Sequence, residues 1–149
     1  MDKTTQIEAG FQIFTEIGII NQLAKTVVES ALPGKLRWSH FSVMNHFLRR
    51  SQEQSPGHLA AAFQVTNAAM TNTLAKMQQW GYVSIRNNPK DNRAKLVKLT
   101  DAGREAHQHA VIAIAPTMQK MLAEIGMDVI LALEPNLREL REKMDAARD

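Results

Sequence analysis

The side chains best suited to recognition chemistry in this sequence lie between residues 66 and 77. One face of a helix over this stretch would carry short polar or small residues without formal charge: Asn67, Ala68, Thr71, Asn72 and Ala75. The opposite face would carry an apolar stripe at positions i, i+4 and i+7, formed by Met70, Leu74 and Met77. A helix with a short, nearly uncharged polar face can enter the major groove of DNA and place hydrogen-bonding groups against base edges.

A shorter helix is predicted immediately before this one. Ser55 suits the N-cap position, and Pro56 suits the first helical position, where its missing N–H costs nothing. The apolar face of this helix is formed by Leu59, Ala60 and Phe63. The spacing therefore predicts two consecutive helices, of which the second presents the polar face.

The junctions of the second helix also have typical sequence signals. Gln64-Val65 is predicted to form a tight turn, with Val65 available to pack between the two helices. Thr66 is the predicted N-cap of the second helix. Gly81 follows the last turn at the C′ position, where glycine is favoured. These signals delimit a helix-turn-helix.

A β-hairpin with a basic tip is predicted next. Tyr82–Arg86 is rich in β-branched and aromatic residues, which favours a strand. Residues 87–93 are predicted to form a turn-rich loop, and Lys95–Leu99 the second strand. A hairpin that follows a helix-turn-helix in this way is a wing.

The positive charge of the chain is concentrated in its middle. Residues 35–100 contain ten Lys or Arg against two acids, Glu53 and Asp91, which gives +8, whereas the rest of the chain carries −5. A basic middle between acidic ends indicates a polyanionic partner for the middle alone; the alternative is a solvated basic face without a partner. Because the charge coincides with the helix-turn-helix, the sequence favours nucleic acid.

The ordered combination of these features resembles the MarR family of winged helix-turn-helix transcriptional regulators. The features that carry the resemblance are Leu59-Ala60, Val65, Met70-Thr71, Leu74, Gly81-Tyr82-Val83, Asp91 and Arg93 in the wing, and Leu99-Thr100 with Gly103. The flanking helices fit too, so the resemblance covers essentially the whole chain. It implies a mainly α fold with a small β-hairpin wing (α+β), in which N- and C-terminal dimerisation helices flank the winged helix-turn-helix.

The resemblance implies a dimeric repressor of transcription that binds a pseudopalindromic operator in double-stranded DNA. The residues expected to face bases in the major groove are Thr66, Asn67, Ala68, Thr71 and Asn72. Those expected to contact phosphates, which position a protein without reading sequence, are Lys76, Lys90, Lys95 and Arg49. Arg93 is expected to enter the adjacent minor groove, with Asp91 orienting its guanidinium group. The family pattern often has a second arginine between these two residues, where this chain has Asn92.

Long helices are predicted on both sides of this region. Residues 6–31 have apolar side chains at three- and four-residue spacing, and Pro33-Gly34 ends the helix. Residues 39–52 form a second helix, capped by Ser39, whose predicted inward residues are Phe41, Met44, Phe47 and Leu48. After the wing, Thr100-Asp101 caps a helix that runs to about Gly126 and that Pro116 should kink. Residues 128–147 form the last helix, in which Pro135 predicts a kink or two shorter pieces.

The chain therefore divides into three predicted segments. Residues 1–34 form an N-terminal dimerisation helix, residues 35–100 the winged helix-turn-helix, and residues 101–149 the long helix and the C-terminal dimerisation helices. The terminal helices carry more apolar surface than is needed to cover the winged core, which favours a two-fold homodimer. The alternative is a three-helix core within one chain.

A small-molecule site is a further expectation from the resemblance, since such regulators commonly bind a weak, often aromatic acid between the dimerisation helices and the DNA-binding core. Trp38, His40 and Met44 could form a wall of that pocket, with Arg37 or Arg49 as the counter-ion. The alternative is that Trp38 and Met44 belong to the core and that Arg49 faces DNA.

Other classes of function have weak support. The five histidines are scattered, without a metal-ligand spacing or a convergent acid, and the chain has no cysteine, so neither a metal nor another cofactor is expected. No phosphate loop, carboxylate pair or nucleophile motif indicates an enzyme. Without a signal peptide or a membrane-length apolar run, a cytoplasmic protein with no membrane partner is expected. The rival hypothesis is a winged-helix module that binds an acidic protein or a small ligand and no DNA.

Overall fold

The computed structural model describes residues 2–147 of the chain. In this range the elements follow one another as α1 (Lys3–Ala31), α2 (Trp38–Arg49), α3 (Pro56–Phe63), α4 (Asn67–Gln79), β1 (Val83–Asn88), β2 (Asp91–Leu99), α5 (Asp101–Ile125) and α6 (Met127–Ala146). The strands β1 and β2 pair antiparallel. The predicted class, mainly α with a small β-hairpin wing, is confirmed. The outermost ends of the predicted segments, Met1 and residues 148–149, lie outside the described residues.

The chain contains two compact units, one that extends to Ile114 and one that begins at Ala115. The first unit holds α1 to α4, the hairpin and the first half of α5. Its core is built from apolar side chains of α2, α3, α4 and β2, and the most deeply buried are Met44, Leu59, Leu74, Met77, Val43 and Val97. Burial of these side chains supplies the main driving force for folding this unit.

The start of α2 differs from the prediction. The backbone N–H of Arg37 donates to Nδ1 of His40 at 3.0 Å, and that of Trp38 donates to Oε1 of Glu29 at 2.9 Å. These two acceptors satisfy N–H groups that a helix start leaves unpaired, so Arg37 is the N-cap residue and Ser39 lies inside the helix. The predicted cap at Ser39 was wrong because it ignored acceptors from His40 and from the end of α1.

The end of α2 also differs. The helix ends at Arg49 and not at residue 52, because the segment that follows leaves to pair with the hairpin: Gln54 and Val97 exchange two backbone hydrogen bonds. Of the residues predicted to face inward, Phe41, Met44 and Phe47 are buried, whereas Leu48 is 38% exposed.

The hairpin is longer and its turn is shorter than the sequence suggested. Asn88 pairs with Asp91 across a two-residue turn, and the register shifts between Asn87 and Asn88, so that Asn87 pairs with Lys95. Side-chain oxygens stabilise this tip, since Oδ1 of Asn88 accepts from the backbone N–H of Lys90 at 3.0 Å. Residues 87–93, predicted as a turn-rich loop, are therefore strand except for Pro89 and Lys90.

The prolines do not divide the C-terminal helices. α5 is continuous through Pro116 and α6 is continuous through Pro135, so of the two alternatives predicted for α6, a kink or two shorter pieces, the second is not found. One proline removes one backbone hydrogen bond, and the turns on either side hold the helix together. No helix among the described residues is long and apolar enough to cross a membrane.

Candidate nucleic-acid interface

The orientation of the exposed polar face of α4 is set by the cap of the helix and by its buried side. Oγ1 of Thr66 accepts from the backbone N–H of Ala69 at 3.1 Å, as an N-cap residue does. On the inner side, the apolar stripe of Met70, Leu74 and Met77 is at most 3% exposed. Burial of this stripe fixes the rotation of the helix about its axis, and the polar side is therefore presented to solvent.

The residues predicted to face bases are all exposed: Thr66, Asn67, Ala68, Thr71 and Asn72. Within residues 2–147, no hydrogen bond engages the side chains of Asn67, Thr71 or Asn72. By contrast, Oγ1 of Thr73 donates to the carbonyl of Ala69 at 3.1 Å. The exposed amides and hydroxyl of α4 therefore keep their donors and acceptors for an outside partner.

The turn between α3 and α4 is tight but does not bury its apolar residue. Ser55 caps α3 by accepting from the backbone N–H of His58, and Gln64 ends the helix in the left-handed region, with φ of 52°. The N–H of Val65 donates to the carbonyl of Ala60 at 3.0 Å. The side chain of Val65 is 45% exposed, so it is not packed between the two helices as expected.

Backbone hydrogen bonds connect the end of α4 to the start of the wing. The N–H of Tyr82 donates to Met77 and that of Gly81 to Gln78, at 2.8 and 2.9 Å, and Gly81 has φ of 77°. This is the Schellman arrangement, in which a glycine ends a helix. The carbonyl of Tyr82 in turn accepts from the backbone N–H of Thr100, at the start of α5. Tyr82, the residue before the wing, is thus bonded both to α4 and to the start of α5.

The predicted backbone-contacting residues lie on the surface of this unit. Lys76 is exposed in the last turn of α4, and Lys90, Arg93 and Lys95 are exposed on the wing. Arg49, at the end of α2, lines an open basin of about 850 Å³ to which Asn88 of the wing also contributes. The structure therefore brings the end of α2 beside the hairpin.

Two charged side chains of the wing, those of Asp91 and Lys95, form hydrogen bonds within the hairpin. Oδ1 of Asp91 accepts from the backbone N–H of Arg93 at 3.0 Å, so this carboxylate bonds to the chain and not, as expected, to the guanidinium group. The ammonium group of Lys95 donates to Oδ1 of Asn87 at 2.6 Å. Asp91 therefore shapes the turn that carries Arg93.

Sequence reasoning missed an ion pair in the middle of the wing. Arg86 in β1 contacts the carboxylate of Glu53, which lies 33 positions earlier, in the segment between α2 and α3. Local periodicity carries no information about such a pair. One signal was present, because Glu53 is one of only two acids in the basic middle of the chain.

The residues proposed for an effector pocket do not share one environment. Trp38 lines a cavity of about 330 Å³ together with residues of α1, α3 and α4. Met44 and His40 are 0% and 4% exposed and belong to the core, while Arg37 is exposed and donates to the carbonyl of Leu36. The core alternative that the sequence left open thus holds for Met44.

Three histidines have structural partners. His40 packs edge-on against Trp80, Nε2 of His46 is 2.8 Å from Oε1 of Gln54, and Nε2 of His107 is 2.6 Å from Oδ1 of Asn45. Burial lowers the pKa of His40 below 6.5, helped by the positive charges of Lys76 and Arg37, and burial also lowers the pKa of His107. Among residues 2–147, no three His, Asp or Glu side chains are grouped to hold a metal ion.

Comparison with known proteins identifies the region built around this helix and wing. Residues 36–94, from the residues before α2 through most of the wing, match the model of the MarR family. Over these residues the chain is similar to the MarR family. An uncharacterised HTH-type transcriptional regulator of Bacillus subtilis, YdgJ, is 31% identical over 100 residues. That alignment covers 62% of this chain and 61% of the relative, so the chain matches less than two-thirds of that protein's length.

Solved structures of MarR and of another transcriptional regulator share the fold. A mutant of MarR from E. coli, crystallised with operator DNA, is 23% identical with a TM-score of 0.71, and the match covers 94% of this chain and 99% of that one. The regulator BldR from Sulfolobus solfataricus is also 23% identical with a TM-score of 0.71, over 93% and 99% of the two chains.

Proposed function

We propose that this protein is a dimeric, sequence-specific repressor of transcription that binds double-stranded DNA through α4 and the wing. The observation that carries the proposal is the exposed polar face of α4, on which the side chains of Asn67, Thr71 and Asn72 make no hydrogen bond within residues 2–147. This face lies in a region with a net charge of +8. Base edges in the major groove offer complementary donors and acceptors, and the basic surroundings offer phosphate contacts.

The roles assigned from the sequence carry into the proposal. The exposed face of α4 reads bases, and Lys76, Lys90, Lys95 and Arg49 hold the DNA backbone. Arg93 enters the minor groove from the wing. A relative of the same fold, MarR of E. coli, was crystallised with operator DNA, which supports this mode of binding.

Assembly as a two-fold dimer is part of the proposal. In α1, Val28 alone among its residues is buried, and large apolar side chains stay exposed along the helix, including Ile7, Phe11, Phe14, Ile20 and Leu23. Apolar surface on this scale is typical of a protein interface. A C₂ dimer would cover it and would present two recognition helices to the two halves of a pseudopalindrome.

The proposal that a small molecule releases the protein from DNA rests on one cavity. The 330 Å³ cavity is lined in part by α4, and Trp38, Phe63 and Met70 give it apolar walls. Lys25 adds a positive charge and Glu29 a negative one, whose Oε1 accepts from the N–H of Trp38. These groups suit a small aromatic acid. Such an acid should release operator DNA from the native protein and less readily from Lys25→Met, with Lys3→Met, on the same helix, as the control.

A titration against duplexes from the protein's own promoter region, repeated at several salt concentrations, tests the function. Binding by the dimer should neutralise about six to ten phosphates, so the slope of log affinity against log salt should be about −5 to −9. A slope near zero on every duplex would refute DNA binding and leave the rival function, an acidic protein partner or a small ligand.

A further inference from the structure

The ion pair between Glu53 and Arg86 is bidentate, with two nitrogens of the guanidinium group bonded to the two carboxylate oxygens. Nε of Arg86 donates to Oε1 of Glu53 at 3.0 Å, and a terminal nitrogen of the guanidinium group lies 2.5 Å from Oε2. Two parallel hydrogen bonds of this kind fix both the distance and the relative orientation of the planar groups. The Glu53 side chain is only 28% exposed, and these hydrogen bonds lower the pKa of its carboxyl.

The residue after Glu53 connects the same segment to the other strand of the wing. The backbone N–H and carbonyl of Gln54 both bond to Val97 in β2, at 3.1 and 2.8 Å. Its side-chain oxygen lies 2.8 Å from Nε2 of His46 in α2, which is itself buried. Glu53 therefore holds β1 while Gln54 holds β2, and both are anchored to the core through α2.

We propose that Glu53 and Arg86 form a clamp that sets the angle of the wing, so that Arg86 acts as a positioning residue and does not contact DNA. This inference rests on the proposed function and adds to it a division of labour among the basic residues. Lys90 and Arg93, which have no ion-pair partner within residues 2–147, remain to meet DNA at the tip of the hairpin. Arg86, in the middle of β1, is already neutralised by an intrachain carboxylate.

The effect of Glu53→Gln on DNA affinity distinguishes a clamp from a phosphate contact of Arg86 that Glu53 merely weakens. If Arg86 contacted a phosphate and Glu53 only weakened that contact, Glu53→Gln would raise the net charge of each chain by one unit and tighten DNA binding. If the pair is a clamp, the same substitution misplaces the wing and weakens binding despite the added positive charge. Arg86→Gln weakens binding in both cases, but a clamp residue leaves the salt dependence unchanged.

The DNA experiment is a double-mutant cycle on the full chain. Operator affinity and its salt slope are measured for the native protein, Glu53→Gln, Arg86→Gln and the double variant. Each single substitution should lower the affinity about two- to fivefold, the range expected for a well-formed exposed pair, and the double variant should bind no more weakly than either single one. Tighter or unchanged binding by Glu53→Gln would overturn the clamp. So would a salt slope in Arg86→Gln that is shallower by about 0.9 for each phosphate that Arg86 had neutralised.

Amide hydrogen exchange tests the clamp without DNA. The N–H groups of Gln54 and Val97 should exchange about two- to fivefold faster in both single variants, because the hairpin opens more often. Glu105→Gln and Arg104→Gln, exposed on α5, remove the same charges elsewhere and should leave both rates unchanged. Unaltered exchange in Glu53→Gln and Arg86→Gln would overturn the proposal. If the native protein bound no DNA, the proposed function would fail, and exchange alone would decide the clamp.

Discussion

Asn72 presents an unengaged carboxamide on the exposed face of α4, and its chemistry favours one base. Asparagine pairs bidentately with N6 and N7 of adenine, whereas the common contact with guanine requires arginine or lysine. The exposed first two turns of α4 offer Asn67 and Asn72 but no arginine, and Lys76 comes more than two turns into the helix. We therefore expect an A·T-rich pseudopalindrome with half-site centres about one helical turn apart.

Replacing Asn72 by alanine should separate specific from general binding. Asn72→Ala should cost about 1–3 kcal/mol at the cognate site and little on random duplexes, because only specific binding uses the contact. Gln79→Ala, on the same exposed side two turns further along α4, should change neither and serves as the control. Selection from random duplexes measures the preference, and enrichment of G·C-rich half-sites would show that another surface reads the sequence.

His40 makes the stability of the fold depend on pH. Its Nδ1 accepts the N–H that begins α2, so the cap needs the neutral ring, and burial, Lys76 and Arg37 all lower its pKa. In the unfolded chain the imidazole regains an ordinary pKa of about 6.5 and binds more protons than in the folded chain. The free energy of unfolding should therefore fall as the pH drops below about 6.5 and approaches the folded pKa of His40. Above that pH range the contribution of His40 to stability should be fully present.

Urea denaturation at several pH values measures this dependence. His40→Asn keeps a side-chain acceptor but cannot titrate, so its stability should fall less steeply with acid than that of the native protein. His107, whose pKa is also lowered, contributes with the same sign in both proteins and cancels in the comparison. His58→Asn, at an exposed position of α3, controls for the loss of an imidazole. Parallel pH curves for the native protein and His40→Asn would contradict the assignment.

Arg93 and Asp91 of the wing are expected to contribute to DNA binding in different ways. Arg93→Ala should weaken binding broadly, and most at sites whose narrow minor groove concentrates negative potential. Asp91→Ala should do less harm, because its carboxylate supports only the turn through the N–H of Arg93. Binding to A-tract-flanked duplexes measures the difference. Unchanged affinity of Arg93→Ala for such a site would mean that the wing does not insert.

The joint that links α4, the wing and α5 contains two glycines with different requirements. A Cβ at Gly81 would meet nothing within 4 Å, but φ of 77° makes any L side chain strained, so Gly81→Ala should cost about 1–2 kcal/mol. A Cβ at Gly103 would lie 2.2 Å from the carbonyl oxygen of Tyr82, a backbone atom that cannot yield. Gly103→Ala should therefore cost about 3 kcal/mol or more.

Urea denaturation with constant m-values measures this order. Gly57→Ala, inside α3 and with open space around its Cβ, is the matched control and should be neutral or slightly stabilising. Equal losses for Gly81→Ala and Gly103→Ala would show that α5 moves away from the wing without cost.

How far sequence predicts this region depends on the range of each interaction. The caps at Ser55 and Thr66 and the buried stripe of α4 follow from neighbours within one or two turns, and each is confirmed. The start of α2 was missed because one of its acceptors comes from Glu29, on another helix. The pair of Glu53 with Arg86 was missed for the same reason. The residues assigned to bases and phosphates remain predictions, because DNA contacts are not a property of the chain alone.

At the scale of the whole molecule, a single chain leaves large apolar side chains of α1 and α6 exposed. Phe11 is 70% exposed in α1, and no residue of α6 within residues 2–147 is buried, although Leu131 and Leu137 lie along that helix. Burying such side chains contributes about 1.5–3 kcal/mol each, so an interface that covers several of them is stable at low concentration. A protomer with these helices uncovered would instead tend to aggregate.

The dimer can be tested by placing a charge in this surface. The native protein should sediment as a dimer at micromolar concentration, and its melting temperature should rise with concentration, as mass action requires. Phe11→Asp should dissociate the dimer or lower its melting temperature, because a carboxylate in an apolar interface loses its hydration without gaining a partner. Gln12→Asp places the same charge one position along α1, at an exposed polar residue, and should have a smaller effect. A native protein that sediments as a stable monomer, or a Phe11→Asp variant as dimeric as the native protein, would show that α1 is not the interface.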